Sequence, residues 1–350
     1  MTLDPDRTPP VSLYPNPESL GPVTDLYQLT MMAGYSAARL DRSHATFELF
    51  VRRLPADRAY LVFAGLEQAL GDLLRLRFGA EQVEFIRRLP VFAHVDPAWF
   101  DRLPDLRFTG DVWAAPEGSV VFAGEPLVRV SAPLAEAQWV ETLLIASLSY
   151  TTLVASKAAR IVAVSAGKPL YDYGLRRGHG PMAGMLCARA SYLAGFSGTS
   201  NVEAARRLGI PCVGTMAHAW VQSFDRESLA FEEFARVFGG MSTLLVDTYQ
   251  TPEGVRHAAA IEPPVAAVRI DSGDLAELAK EARTILDGSG RAGTRIVVSG
   301  DLDERKIAGI LASGSPIDGF GVGTELITSR DAPALSMASS LVELAKARAG

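Results

Sequence analysis

The chain has 350 residues, of which 48% are hydrophobic and 21% charged, with a formal net charge of −6. This is the composition of an ordinary globular protein, long enough for two domains or for one barrel with an added domain. The negative net charge argues against broad binding to nucleic acid or acidic membranes.

The N-terminal residues, the apolar runs and the two cysteines indicate where the protein is located. Residues 1–22 contain six prolines and no basic-then-apolar pattern, which predicts a flexible Pro-rich arm rather than a signal peptide. No uncharged run reaches the roughly 20 apolar residues of a membrane span. Cys187 and Cys212 form no CxxC motif, so we expect buried, inert thiols. Together these features predict a cytoplasmic protein without membrane or nucleic-acid partners.

Residues 23–133 predict an N-terminal α+β domain. In chain order, the patterns predict a helix over 24–38, a strand over 45–51, helices over 61–74 and 81–89, and a β-rich segment over 108–131. Pro-Glu-Gly and Gly-Glu-Pro turns separate the short strands of that last segment.

The pattern of residues 134–338 predicts an α/β-barrel catalytic domain, which begins with a buried helical face from Trp139 to Leu153 and continues as the barrel itself from about Ala158. Short apolar segments follow, each ending in small or polar residues: 169–172, 192–196, 211–213, 244–246, 265–270, 295–298 and 320–322. From Val213 onward their ends are roughly 24 to 33 residues apart, the size of a βα unit. Barrel enzymes place their chemistry at such carboxyl ends. Residues 339–350 are predicted to form a helical tail.

Several strand ends carry residues that suit an anionic ligand. Arg176 and Arg177 could bind carboxylate or phosphate through forked donors, or could be solvated loop charges. His218 follows a Gly-Thr turn at the start of a predicted helix, which favours a catalytic over a structural role.

The segment Arg269-Ile-Asp271-Ser-Gly-Asp274 is the densest group of this kind. An Arg, two carboxylates and a Gly fit an anionic ligand beside a metal or cationic centre. Asp271 could also cap the helix that begins near Leu275. The small residues of 299–301 and 321–324 could let backbone N–H groups hold a phosphate.

These residues occur in motifs that resemble the nicotinate phosphoribosyltransferase family. The matching motifs are TDLYQLTM, FTGDVWAAPEGSVVF, SKAARIV, DYGLRR, GTSN, GTMAHAW, VDTY, RIDSGDL and PIDGFGVGTELI, spread over residues 23–338. The resemblance implies an irregular α/β barrel of the type II phosphoribosyltransferases with a β-rich α+β N-terminal domain. It also implies a head-to-tail homodimer with shared active sites.

The implied reaction joins nicotinate to 5-phosphoribosyl 1-diphosphate, giving nicotinate mononucleotide and pyrophosphate in NAD salvage. In the pocket that it implies for nicotinate, Tyr27 of a neighbouring subunit and Tyr173 flank the ring, Arg269 pairs with the carboxylate, and Thr215 lines the wall. At the place of Ser200 the related nicotinamide enzymes have an Asp, so the neutral Ser favours the acid.

The resemblance assigns the phosphoribosyl diphosphate to a second set of residues, namely Arg176, Arg177, Ser299, Gly300, Asp301, Gly323 and Thr324. Asp271 lies near the ribose in this assignment and is also the candidate Mg²⁺ contact, mainly through the diphosphate. His218 is implied as the residue that ATP phosphorylates, with His218, Asp271 and Arg269 as the catalytic group.

The C-terminal part departs from the family pattern. Ser339-Ser340 stands where a Tyr-Lys pair is expected, and the sequence stops at Gly350 before the family's lysine-rich segment. We therefore expect a C-terminally shortened member. Three hypotheses stay open: an ATP-coupled nicotinate enzyme, a paralogue that uses another small aromatic acid without ATP, and a catalytically silent nucleotide-binding homologue.

Overall fold

The computed structural model describes residues 15, 16 and 18–345. Its strands are β1 (His44–Val51), β2 (Leu61–Val62), β3 (Asp111–Ala114), β4 (Val120–Val121), β5 (Pro126–Pro133), β6 (Leu170–Asp172), β7 (Gly198–Thr199), β8 (Thr243–Leu245), β9 (Ala267–Ile270), β10 (Arg295–Val298), β11 (Gly319–Val322) and β12 (Met337–Ala345).

The α-helices lie between these strands. They are α1 (Leu26–Ala37), α2 (Leu66–Leu74), α3 (Ala80–Arg87), α4 (Pro97–Arg102), α5 (Leu134–Trp139), α6 (Glu141–Val164), α7 (Pro181–Leu193), α8 (Val202–Leu208), α9 (His218–Gln222), α10 (Glu227–Phe238), α11 (Thr251–Ala259), α12 (Leu275–Gly288), α13 (Glu304–Ala312) and α14 (Thr324–Ile327). None of these helices is long and apolar enough to cross a membrane.

The N-terminal region is built on an antiparallel sheet with the strand order β12-β1-β5-β3. Apolar residues of β1 and β5 face a core that also contains Trp139, whose ring stacks on Phe78 at 4.9 Å. The indole N–H of Trp139 donates to the carbonyl of Gly21 at 2.9 Å. The end of the predicted Pro-rich arm is therefore packed against the core, whereas residues 1–14 and 17 lie outside the described residues.

Two predictions for this region are wrong. The predicted helix over 61–74 begins only at Leu66, because residues 61–62 form β2, Gly65 has a φ of +101°, and Glu117 accepts hydrogen bonds from the N–H groups of Gly65 and Leu66. The predicted C-terminal helical tail is instead strand β12, which pairs with β1 from Met337 to Ala345. The free edge of β1 offers backbone partners that local helix propensity does not detect. Residues 346–350 lie outside the described residues.

The second region is a curled parallel sheet with the order β7-β6-β11-β10-β9-β8, an α/β half-barrel. Cys212 extends it by a single parallel bridge to Thr199. Between the two ends of this sheet, the Thr215 hydroxyl donates to the carbonyl of Thr243 in β8. The sheet thus confirms the α/β barrel predicted from the strand ends, in the irregular form that the family resemblance implies.

One predicted strand of this region is displaced. Residues 192–196 belong to the end of α7 and the turn after it, and the strand itself is Gly198–Thr199. An apolar run alone does not distinguish a short buried strand from the end of a buried helix.

Helix α6 joins the two regions. Leu144 and Leu148 belong to the N-terminal core, whereas Val154 and Ile161 belong to the core of the half-barrel. Because one helix serves both cores, the boundary at 133/134 stays a prediction. The half-barrel core packs against the parallel sheet. The carboxyl ends of the strands of this sheet lie at the candidate active site.

Candidate active site

The carboxyl ends of the parallel strands surround a cavity of about 630 Å³, a size that holds a small ligand. Nearly all of the predicted site residues line it: Tyr173, Arg176, Arg177, Ser200, Thr215, Arg269, Asp271, Ser299, Gly300, Asp301, Gly323 and Thr324. They converge because parallel strands end at the same edge of a sheet. The two exceptions are His218 and Tyr27.

Tyr173 supplies an aromatic wall of the cavity. Its ring lies against Gly321, where a Cβ would come within 2.3 Å of the ring, so any side chain at that position would displace Tyr173. The Arg269 guanidinium carbon lies 5.9 Å from the ring centroid, within range of a cation–π attraction. Burial raises the pKa of Tyr173, although Arg269 opposes the shift, and the phenol is therefore neutral near pH 7.

Arg269 brings a positive charge to the same wall without a counter-charge. Its Nε is buried and has no hydrogen-bond partner among the described residues. Arg176 and Arg177 also face the cavity, and none of these three arginines forms an ion pair within the described part of the chain. A buried N–H donor without a partner is costly, so the Nε of Arg269 favours an anionic ligand, and the exposed Arg176 and Arg177 add positive charge to the same cavity.

Asp271 is held at the end of β9 by two neighbouring strand ends. Its Oδ1 accepts a hydrogen bond from the Ser299 hydroxyl, and its backbone N–H donates to Asp247 Oδ2 at 3.0 Å. Helix α12 is capped by Asp274, which accepts hydrogen bonds from Ala276 and Glu277. The capping role considered for Asp271 is therefore wrong, and its carboxylate is available at the cavity.

Two glycine-containing turns form the part of the cavity suited to phosphate. Gly300 has a φ of +107°, and a Cβ there would lie 2.1 Å from the carbonyl oxygen of Asp271. Only glycine fits this close approach of β10 to β9. Gly323 precedes the short helix α14, and the Thr324 hydroxyl lies 3.4 Å from Asp301 Oδ1.

His218 lies just outside the cavity. It is the first residue of α9, and the preceding residue, Ala217, lines the cavity wall. The His218 Nδ1 is 3.1 Å from the hydroxyl oxygen of Thr248. Since Thr248 follows Asp247, one loop after β8 contacts both His218 and the Asp271 turn.

Tyr27 lies on α1 in the N-terminal region and does not reach the cavity of its own chain. Its side chain is 47% exposed, and its hydroxyl donates to Glu141 Oε1 at 2.7 Å. Burial of the hydroxyl and this hydrogen bond raise the pKa of Tyr27 to about 12. The ring is therefore presented at the surface with its polar end anchored.

The cavity contains residues that the sequence did not single out. These are Leu175, Val202, Cys212, Val213, Gly214, Met216 and Ala217. The prediction of two buried thiols is wrong for Cys212, which is exposed, and right for Cys187; both are free. Several of them could have been predicted from the strand end at Val213, because residues next to a strand end lie at the edge of the sheet where the cavity forms.

These features define a class of protein. A curled parallel sheet whose strand ends combine unpaired guanidinium groups, a carboxylate and glycine turns is an α/β-barrel enzyme site for small anionic ligands.

Comparison with known proteins gives the particular family. Residues 23–149 match the model for the nicotinate phosphoribosyltransferase N-terminal domain, and residues 169–346 match the model for the nicotinate phosphoribosyltransferase family. A relative from Mycobacterium tuberculosis H37Rv, nicotinate phosphoribosyltransferase pncB2, is 49% identical over 91% of this chain and 69% of its own. The chain belongs to the nicotinate phosphoribosyltransferase family.

Two further comparisons agree with this placement. Nicotinate phosphoribosyltransferase from Bacillus subtilis is 42% identical over 93% of this chain and 67% of its own length. The crystal structure of human nicotinic acid phosphoribosyltransferase superposes with a TM-score of 0.82 at 31% identity, covering 92% of this chain and 74% of that chain.

Proposed function

We propose that this enzyme transfers the phosphoribosyl group of 5-phosphoribosyl 1-diphosphate to nicotinate, forming nicotinate mononucleotide and pyrophosphate for NAD salvage. The observation that carries the proposal is Arg269, whose buried Nε lies beside the ring of Tyr173 and has no hydrogen-bond partner in the described part of the chain. A planar aromatic acid satisfies both groups at once, because its carboxylate pairs with Arg269 while its ring lies on Tyr173.

Two residues of the opposite wall would adjust the pocket to the acid. Thr215 and Ser200 line the cavity and carry no charge. A neutral hydroxyl at 200 tolerates a carboxylate that an Asp would repel. We expect Ser200→Asp to raise the KM for nicotinate about tenfold and to improve the use of nicotinamide. An unchanged preference for nicotinate over nicotinamide in the Ser200→Asp enzyme would contradict the role of Ser200.

The phosphoribosyl donor would occupy the other end of the cavity. Arg176 and Arg177 suit the diphosphate, and the turns at 299–301 and 323–324 suit the 5-phosphate. In the transfer, the bond from the anomeric carbon to the diphosphate oxygen breaks, and the oxygen leaves with the electron pair. The pyridine nitrogen then bonds to that carbon without any proton transfer. Positioning is therefore the main requirement, and the Asp271 carboxylate stabilises the positive charge that develops on the ribose.

Mg²⁺ is proposed as the cation of the diphosphate. No group of three or more His, Cys, Asp or Glu among the described residues could hold a metal by itself. Asp271 fits instead as a single carboxylate beside a cation whose other ligands are phosphate oxygens and water. When bound, Mg²⁺ would neutralise charge on the leaving diphosphate.

We also propose that ATP hydrolysis is coupled to transfer through phosphorylation of His218. Its support is the loop after β8, which contacts His218 through Thr248 and the Asp271 turn through Asp247. A phosphoryl group on His218 would thus change the surroundings of a loop that reaches the reaction centre. We expect His218→Ala to lose ATP stimulation while it keeps slow ATP-independent transfer. If ATP stimulates the variant as it does the wild type, the phosphohistidine is wrong.

A homodimer with shared sites is the last part of the proposal. The exposed ring of Tyr27 suits a second copy's cavity, where it would cover the face of nicotinate opposite Tyr173. In a mixture of Tyr27→Ala and Arg269→Ala enzymes, each heterodimer contains one intact site. We expect about a quarter of wild-type activity to return on mixing. No recovery, with heterodimers present, would contradict the sharing.

The first experiment measures product from nicotinate and 5-phosphoribosyl 1-diphosphate with Mg²⁺, with and without ATP, and with nicotinamide and quinolinate in parallel. Nicotinate mononucleotide formed faster with ATP supports the full proposal. Turnover at the same rate with and without ATP would contradict the ATP coupling but still support phosphoribosyl transfer to nicotinate. A product from quinolinate only would favour a paralogue for another aromatic acid, and no product from any would favour a binding role.

A further inference from the structure

Asp172 is a buried carboxylate next to the cavity that the proposed reaction does not use. It ends β6, is 1% exposed, and is not among the residues that line the cavity. Its Oδ2 accepts from the Thr199 hydroxyl at 2.7 Å, and its Oδ1 accepts from the N–H of Gly174 at 2.8 Å. Burial raises the pKa of Asp172, so retaining an ionisable group here has an energetic cost.

The Gly174 and Thr199 donors to Asp172 come from two loops that form different walls of the cavity. Gly174 directly follows Tyr173, and Thr199 directly precedes Ser200. The backbone strengthens this link, because the carbonyl of Asp172 accepts from the N–H of Ser200 at 2.9 Å. The Asp172 side chain therefore connects the loop that carries Tyr173 to the loop that carries Ser200.

The Thr199 hydroxyl extends the connection by one more residue. It accepts from the N–H of Asn201 at 3.0 Å while it donates to Asp172. Asn201 in turn caps α8 by accepting from the N–H of Ala204 at 3.1 Å. The position of the Ser200 loop is thus fixed on one side by Asp172 and on the other by α8.

We propose that Asp172 is a positioning residue that sets the separation of Tyr173 and Ser200 and thereby the affinity for the aromatic acid. The inference rests on the proposed function, since it takes these two residues as the walls around nicotinate. It gives the second strand-end carboxylate of the site a role separate from that of Asp271, because Asp172 acts through other residues and never touches the substrate.

The geometry predicts how different substitutions behave. Asp172→Ala removes both acceptors and frees both loops. Asp172→Asn keeps one acceptor for Gly174 and can donate to the Thr199 oxygen, which has a second lone pair available. If position rather than charge matters, the Asn enzyme should resemble the wild type and the Ala enzyme should not.

The test compares KM values for the two substrates and nicotinate binding by calorimetry. We expect Asp172→Ala to raise the KM and Kd for nicotinate about tenfold, with Asp172→Asn within about threefold. Thr199→Val, which keeps the side-chain shape and removes only the hydroxyl, should raise both about fivefold. The KM for 5-phosphoribosyl 1-diphosphate should rise less than the KM for nicotinate, because its proposed contacts at 299–301 and 323–324 lie on other turns and only Arg176 and Arg177 share the loop of Gly174. Thr199→Val also serves if Asp172→Ala fails to fold.

Cys187→Ala is the matched control. Its thiol is the third neighbour of Asp172, at 3.8 Å from Oδ1, but it belongs to α7 and to neither loop. We expect its nicotinate KM to match the wild type. The positioning role is overturned if Asp172→Ala leaves nicotinate binding unchanged, if Cys187→Ala weakens it equally, or if Asn is as damaging as Ala. A wild type that neither binds nor converts nicotinate overturns the proposed function and this role together, whereas an active wild type matched by its Asp172 variants overturns this role alone.

Discussion

The charges around Asp331 and the charges around the cavity are arranged in opposite ways. Near Asp331, the buried ammonium of Lys157 lies 2.7 Å from Glu304 and 3.0 Å from Asp331. Arg58 and Arg160 contact the same carboxylates. Each charged group of this Asp331 cluster, composed of these five residues, therefore has an opposite charge within 4 Å.

At the cavity, the positive groups have no such partners. Arg269 has a buried Nε without a hydrogen bond, and Arg176 and Arg177 form no ion pair within the described residues. The Asp331 cluster joins α6 to α13 and to the loop before β2, so its charges hold elements of the fold together. The three cavity arginines have no carboxylate partner among the residues that the structure describes, which is the arrangement expected where a substrate supplies the missing partner.

The largest effect we expect is on stability, from breaking the Asp331 cluster. Lys157 is 2% exposed, so Lys157→Met removes a buried cation that Glu304 and Asp331 share and leaves only the more exposed Arg160 in contact with both carboxylates. We expect the free energy of unfolding to fall by about 3 to 5 kcal/mol in urea titrations. The kcat/KM of the enzyme that remains folded should not change.

The control for this variant is an exposed ion pair of the same region. Arg305 and Asp57 are 3.4 Å apart with side chains 76% and 59% exposed, so Asp57→Asn should cost less than about 1 kcal/mol. If Asp57→Asn and Lys157→Met are equally stable, the cluster does not hold the fold.

The next effect is on activity, from the unpaired charge at the cavity. We expect Arg269→Gln to lower kcat/KM for nicotinate about 100-fold, because a charge-assisted pair with the carboxylate is lost. The free energy of unfolding should stay the same or rise, since a buried group without a partner has been removed. Steady-state kinetics and urea titration on the same preparation check both parts. A destabilised variant with unchanged kcat/KM would mean that Arg269 is structural.

The same contrast explains which parts of the site could be predicted from sequence. Arg269 is one of the last two residues of β9, Asp271 and the turn at Gly300 each follow an apolar strand, and the rule that parallel strands end together places them at one edge. Asp172 and Asp247 also end strands, but they act through hydrogen bonds to neighbouring loops. Such hydrogen bonds depend on side-chain direction, which strand spacing does not specify.

The remaining errors have a common physical cause. Residues 341–349 carry a helical pattern, yet residues up to Ala345 pair with β1, a partner nearly 300 positions away in sequence. Local propensity is a weak preference that a free sheet edge overrides. Likewise, Tyr27 cannot reach the cavity of its own chain, and its placement depends on a second copy. Fold class follows from local periodicity, whereas the final position of a terminal strand depends on contacts that periodicity does not encode.

The smallest effect we expect is a pH dependence confined to the Asp331 cluster. Burial alone would raise the pKa of Asp331, but Lys157 and Arg58 outweigh it and lower the pKa to about 2. A depressed pKa means that the ionised carboxylate stabilises the fold, fully above the unfolded value near 4 and less as pH falls towards about 2. Asp331→Asn should therefore be less stable than wild type by a constant amount between pH 5 and 7, and the difference should narrow below about pH 4. Thermal unfolding of both proteins across this range measures the difference, with Asp57→Asn as the exposed comparison. A difference in stability between wild type and Asp331→Asn that stays constant down to acid pH would mean that Asp331 contributes through packing. The contrast between the paired charges of the Asp331 cluster and the unpaired charges of the cavity would then lose its electrostatic basis.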